Sequence, residues 1–301
     1  MLRLAHIINP VQAPIGSELQ IAQPITFQTM VAAQAFAKGI VDVGLYTVQF
    51  EEDKPMIPPG FQILPNLERS VLQVGSFQNE KKLPLLGDIL ESLYKASDAE
   101  YLIYTNVDIA LMPFFYTSIA SLIAEGYDAF AINRRRLSSK YQSTEDIPLM
   151  YADIGRPHPG FDCFVFKKNL YPKFLLGNIC IGIPFIEATM MYNLAAHAER
   201  FRLFGNMHLT MHIGLEVMPA RDKEYYWHNR KQFNQLIKEL KPSIKSKNLP
   251  YAEQMLLAKI LKWGLNPGTF IKLNMEVEGK TWLERMRFRI NELRFRMLQR
   301  Y

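Results

Sequence analysis

Apolar runs alternate along this chain with segments whose apolar positions recur at helical spacing. Residues 2–8 form a short apolar run stopped by Asn9-Pro10, which predicts a first β-strand. Residues 24–37, opened by Pro24 and closed by Lys38-Gly39, read as a helix. A second strand is expected at 41–48, and the proline- and charge-rich stretch 51–65 reads as a loop. Leu86, Ile89, Leu90 and Leu93 mark a helix over 83–94, with Pro84 in its first turn. Residues 100–107 are the plainest buried strand, centred on Tyr101-Leu102-Ile103-Tyr104. A helix over 113–124, turning Phe114, Ile119, Leu122 and Ile123 inward, ends at Gly126, and a strand follows at 128–132.

Strand and helix in this alternation predict an α/β fold: a mixed, mostly parallel central sheet with helices on both faces. Residues 133–158 are polar and irregular, a length typical of a functional lid. Strand character returns at 161–166, helix at 186–198 and a short strand at 207–212. From about residue 222 the pattern turns helical, over 223–240, 251–263 and 282–299. The expected organisation is therefore an α/β catalytic domain over 1–221 and a helical C-terminal extension over 222–301.

Composition narrows the function classes. With 301 residues, 49% of them hydrophobic, the chain can bury a large core. No window approaches the roughly 18 consecutive apolar residues of a membrane span. The opening apolar run lacks the layout of a secretory leader. Cys163 and Cys180 are the only cysteines, which fits a reducing, cytoplasmic setting. The net charge of +6 is uneven: six arginines from Arg285 to Arg300 face only Glu284 and Glu292 in the last stretch. Those arginines are not interleaved with exposed aromatics in a recognisable nucleic-acid module, so no nucleic-acid partner is expected.

Ligands of open α/β sheets bind beyond the carboxyl ends of the strands. The central strand ends in Thr105-Asn106-Val107-Asp108, and alternation would send Asn106 and Asp108 the same way. Two such oxygen-bearing groups suit Mg²⁺ or Mn²⁺ carrying a phosphate; they also suit capping of the next turn. Three further clusters are candidates to converge there. Asp162 ends the polar stretch 158–162, Glu187 opens an apolar helix, and His208 and His212 would share one face of a strand. Glu187 and the histidines also have plain structural readings, helix-dipole partner and core histidine.

The segments 99–108, 126–130, 160–166 and 208–214 resemble bacterial glycosyltransferases of the GT-A type, across about residues 5–229. The resemblance implies a nucleotide-diphosphate sugar as donor and a Mn²⁺ or Mg²⁺ ion held by Asp108, with His212 completing its shell. Asn106 stands where such enzymes carry the first acid of an Asp-x-Asp motif, which removes one charge from the site. In a transferase, Lys81 or Lys82 would help neutralise the leaving diphosphate. Asp162 or Glu187 would serve as base toward an acceptor hydroxyl, and Arg134 with its two neighbours would clamp a phosphate or an anionic acceptor. The acceptor would be a sugar, free or lipid-linked. Trp282, Met286, Ile290, Leu293 and Met297 fall at helical spacing among the arginines, as on a helix that touches an anionic membrane or packs on its own domain. Two other readings remain: a nucleotidyltransferase-like enzyme, for which Ile15-Gly16-Ser17 is a sparse glycine loop, and a catalytically silent binding domain of surface-polysaccharide assembly.

Overall fold

The computed structural model describes residues 1–205, 207–213, 223–250, 252 and 254–265. One mixed sheet organises them. Its strands are β1 (Arg3–Ile8), β2 (Asp42–Thr47), β3 (Gln62–Ile63), β4 (Tyr101–Thr105), β5 (Ala110–Leu111), β6 (Ala129–Leu137), β7 (Arg156–Lys167), β8 (Phe201–Phe204) and β9 (Thr210–Ile213). They lie in the order β3-β2-β1-β4-β7-β6-β9-β5, with β8 beside the first half of β6. The run β3-β2-β1-β4 is parallel, and β6 is parallel to β8 and β9. β7 runs antiparallel to both β4 and β6, and β5 antiparallel to β9.

Helices cover both faces. α2 (Leu86–Ala96), α5 (Ile186–His197) and α6 (Lys223–Leu240) share one core with Leu102, Tyr104, Phe164 and Phe166 of the sheet. On the other face, α1 (Leu19–Phe36) and α3 (Phe115–Ala124) pack against Leu4, Ile8, Ile103, Phe130 and Val165. β4 is buried along its whole length, which is why its sequence is continuously apolar instead of alternating. α6 turns Phe233, Leu236, Ile237 and Leu240 into the α5 layer. A short α4 (Ile147–Ala152) lies between β6 and β7, and α7 (Leu256–Leu265) follows α6.

A buried polar cross-link ties β1, β4 and α3 together. The two ring nitrogens of His6 sit 2.9 Å from the Tyr116 hydroxyl and 2.9 Å from Thr105 Oγ1. Burial pulls this imidazole down to about 3, so it is neutral at physiological pH. One ring nitrogen then donates and the other accepts, and both hydroxyls can adapt.

Several elements depart from the sequence expectation, each for a physical reason. α1 begins at Leu19 and carries Pro24 inside it. Apolar spacing continues upstream of the proline, and the Ser17 and Glu18 carbonyls accept the first-turn amides. α2 begins at Leu86, because Leu85 bridges Cys180 and the Leu86 amide bonds to the Ile179 carbonyl. Lys81 and Lys82 therefore precede an extended stretch, not a helix N-terminus. β6 continues to Leu137, so Arg134, Arg135 and Arg136 belong to a strand. The expected lid over 133–158 is instead the far half of the β6–β7 hairpin with α4 at its tip. β9 starts only at Thr210, which leaves His208 in the preceding turn and breaks its supposed pairing with His212. Among the described residues no helix is long and apolar enough to cross a membrane. The expected helix over 282–299 lies outside the described residues.

Candidate active site

The strand order places a crevice before any side chain is considered. From β1 the chain moves out to β2 and β3, then returns to β4 on the other side of β1. That reversal is a topological switch point, where open α/β sheets take their ligands at the carboxyl ends. Asn106 and Asp108 follow β4 at that end. They do so in a turn closed by the Ile109 amide on the Asn106 carbonyl, 3.2 Å, and not as a continuation of the strand.

Register brings the other groups there. Thr105 of β4 pairs with Cys163 of β7, so Asp162 arrives opposite Asn106. Between β6 and β7, Ile132 pairs with Cys163 and Asn133 with Phe161. Asp162 is thus an extra residue on β7, a β-bulge of the kind that re-aims a side chain beside a site. The Asn106 amide donates to Asp162 Oδ1 at 3.3 Å, and Tyr104 donates to Asn106 Oδ1 at 3.0 Å. Arg134 of β6 closes on Asp162 Oδ2, and both side chains are largely buried. On the far side, His212 Nε2 of β9 lies 3.2 Å from Asp108 Oδ2. Asp108 Oδ1 and His212 Nδ1 are buried with no hydrogen-bond partner among the described residues.

The two carboxylates are set apart by their surroundings. Burial pushes Asp162 above the usual carboxylate range; Arg134 opposes this shift and Asp108 adds to it. Burial acts the same way on Asp108, but the hydrogen bond and charge of His212 outweigh it, helped by Arg134, and hold Asp108 below its ordinary value. As pH falls, Asp162 therefore takes up its proton before Asp108 does.

The remaining sequence candidates fall elsewhere around the same end of the sheet. Lys82 Nζ pairs with Glu52 at 2.6 Å and sits 4.2 Å from the Phe50 ring centre, half-exposed. It is already committed to a surface pair, and the Lys81 amide donates to the Tyr225 hydroxyl at 2.6 Å. Glu187 is half-buried in the first turn of α5. The loop before it is bridged to Leu85 at the start of α2, which places Glu187 on the α2–α5 face at the carboxyl end. Phe185, immediately upstream, has φ 97°, a left-handed conformation that is costly for a bulky residue. Asn229 of α6 holds this loop: it accepts from the Cys180 amide at 2.9 Å and donates to the Cys180 carbonyl at 2.8 Å. Asn229→Ala leaves two buried backbone groups unpaired, and an expected loss of about 2–4 kcal/mol follows. Urea unfolding checks it; a change inside experimental error would show that the loop is held by other contacts.

Tyr104, Asn229 and Arg156 did not stand out in the sequence. Nor did Asp53, a buried carboxylate that accepts from the Gln12 amide at 2.7 Å beyond β1 and β2. A β-bulge leaves no mark in periodicity, so the register that brings Asp162 to Asn106 and Arg134 becomes visible only in the sheet.

The donor set can be tested for a metal ion. Among the described residues, no three His, Cys, Asp or Glu side chains gather closely enough to hold one. Mg²⁺-type ions, however, are commonly bound by one or two protein groups and completed by substrate phosphates and water. Asp108, with its unpartnered Oδ1, and His212 beside it fit that pattern, while Asp162 is occupied by Arg134 and Asn106. Among the described residues, the groups fit an ion that arrives with a diphosphate.

No family model matches this chain, and no curated protein matches it in sequence. Solved structures of similar fold include residues 1–349 of S. aureus TarS in complex with UDP-GlcNAc, at a TM-score of 0.46 and 11% identity, covering 90% of this chain and 81% of that one. The same fragment without ligand gives a TM-score of 0.45 at 9% identity, again over 90% and 81% of the two chains. A structure of TarS of which half the chain is covered gives 0.44 at 11% identity. The likeness is one of overall fold.

Proposed function

We propose that this chain is a glycosyltransferase that moves a sugar from a nucleotide-diphosphate donor to an acceptor hydroxyl. The observation that carries the reading is the meeting of Asp108 and His212 with the Asp162–Arg134–Asn106 group, beside the β1–β4 switch point. The sequence resemblance supplies the reaction class.

In this reading the nucleotide sugar enters the crevice with its diphosphate toward Asp108 and His212. A bound Mn²⁺ or Mg²⁺ ion would supply charge neutralisation for the leaving diphosphate. The acceptor oxygen forms a bond to the anomeric carbon as the bond from that carbon to the diphosphate breaks, and the electron pair leaves with the diphosphate. The acceptor proton passes to a carboxylate. Asp162 has each oxygen engaged, by Arg134 and by Asn106, so its role is to fix the walls of the site. Glu187, at the same end of the sheet, is the base. Glu187→Gln is expected to lower kcat by roughly 10²–10⁴-fold with donor binding kept. Unchanged turnover would transfer the role to Asp162.

One observation favours a binding-only domain. Asn106 gives its amide to Asp162 where an acid would face the ligand. Donor binding without turnover on any acceptor would support that alternative. The reading also keeps the cytoplasmic setting, with residues 281–301 as a contact to the inner face of a membrane.

The test is a thermal-shift screen with UDP-, GDP-, CDP- and dTDP-sugars, UDP-GlcNAc first, each with and without Mn²⁺. A Mn²⁺-dependent rise with one base supports the proposal. No shift with any of them contradicts it.

A further inference from the structure

Three strands lay a row of basic side chains along one face at the mouth of the sheet. Arg136 of β6 lies directly opposite Arg156 of β7 on one side and His212 of β9 on the other. Cross-strand partners share a face, and Arg134, two residues earlier on β6, shares it too. The opposite face of these strands is packed, since Leu137, Met211 and Ile213 belong to one buried cluster.

Two members of the row are answered by acids. Arg134 pairs with Asp162, and His212 with Asp108. Among the described residues no carboxylate pairs with Arg136 or Arg156. Like charges directly opposite in a sheet are destabilising, and Arg136 is half-buried as well. Burial, followed by the charges of Arg134 and Arg156, lowers its pKa. A glutamate at either position would relieve the repulsion, so among the described residues the arrangement gives up stability and leaves room for an anionic counter-charge.

We infer that Arg136 and Arg156 form an anion subsite that receives an acidic group, phosphate or carboxylate, on the acceptor sugar. Two adjacent guanidinium forks offer paired donors to either group. The donor diphosphate is the less suitable occupant. Arg136 faces His212, toward which the diphosphate is placed, but Arg156 on β7 stands two strands from His212 on β9, roughly 10 Å away at about 4.8 Å per strand. Naming the ligand as an acceptor rests on the transferase reading. The subsite itself rests on the unanswered charge.

The experiment titrates glucose 6-phosphate, glucuronate and glucose into the protein, in parallel with UDP-GlcNAc, and reads binding by ligand-observed NMR. Wild type is expected to prefer an acidic sugar to glucose by about tenfold or more. The Arg136→Gln/Arg156→Gln variant should lose that preference, keep its affinity for UDP-GlcNAc, and melt at or above the wild-type temperature because the repulsion is gone. Arg156→Gln alone, at an exposed position, gives the same reading if the double variant folds poorly. Stronger binding of glucose 6-phosphate than of glucuronate would identify phosphate, and the reverse order carboxylate. No acidic preference in wild type, or an undiminished one in the variants, overturns the inference. So does a loss of UDP-GlcNAc binding with glucose 6-phosphate unaffected, because the row would then serve the donor. Acidic sugars bound by a wild type that takes no nucleotide sugar would leave the subsite standing and remove the transferase reading.

Discussion

Asp108→Ala is expected to abolish sugar transfer, with kcat/KM down by about 10³-fold or more, while the protein stays folded. Asp108 is the carboxylate at the switch point with a buried oxygen unpartnered among the described residues, so its removal takes away a group placed to receive an ion that carries the diphosphate. Its cost to the fold is small by comparison. The side chain remains 27% exposed, and its contact among the described residues is His212 Nε2 at 3.2 Å. The depressed pKa of Asp108 contributes stability above the unfolded value and loses it as pH falls through the folded one. At neutral pH the variant should therefore melt slightly lower and bind donor far more weakly. A variant that keeps full activity would put the reacting centre elsewhere. Circular dichroism and a Mn²⁺-supplemented transfer assay separate the two effects.

The largest stability effect is expected at the Arg134–Asp162 pair. The two side chains are 8% and 14% exposed, and their partner atoms are in direct contact. Asp162→Asn takes from a largely buried guanidinium the carboxylate it contacts, and breaking such a pair costs about 3–5 kcal/mol. In a chain of this size that corresponds to a fall in Tm of roughly 6–20 °C. Arg134→Met should lower stability by a similar amount, for the mirror reason. The double variant Arg134→Met/Asp162→Asn should recover most of the loss, because neither charge remains to be buried. Its transfer activity should not recover, since Asn106 and the bulge would lose the group that fixes them. Additive losses in the double variant would mean that the pair is not coupled, and calorimetry on the four proteins decides this.

The fold was largely legible because its core strands and helices carry strong signals. β4 reads as a buried strand from Tyr101 to Thr105, and α2 from Leu86, Ile89, Leu90 and Leu93. What escaped has local causes. β5 and β3 are two residues long, too short for any period to show. The apolar signal of β6 stops at Ile132, where three arginines do not look like a strand, yet they continue the ladder along one side of the site. Pro24 reads as a helix start although the helix had already formed upstream.

The candidate site shows the same division. Asp108, Asp162, Arg134 and His212 were each visible as chemistry-bearing residues, and the structure brings them together. Their pairing was not visible, because it depends on β7 running antiparallel between β4 and β6 and on one extra residue at Asp162. Asn106 in particular reads as a weakened metal ligand, whereas its side chain links Tyr104 to Asp162. Lys82, read as a candidate to neutralise a leaving group, pairs with Glu52 at the surface.

The most direct test is a crystal of the protein soaked with UDP-GlcNAc and Mn²⁺, with anomalous data collected at the manganese edge. The account predicts a manganese peak within ligand distance of the Asp108 carboxylate, bridged to the diphosphate, with the nucleoside in the β1–β4 crevice. Nucleotide bound away from Asp108, or manganese bound without it at another acidic site, would contradict the account.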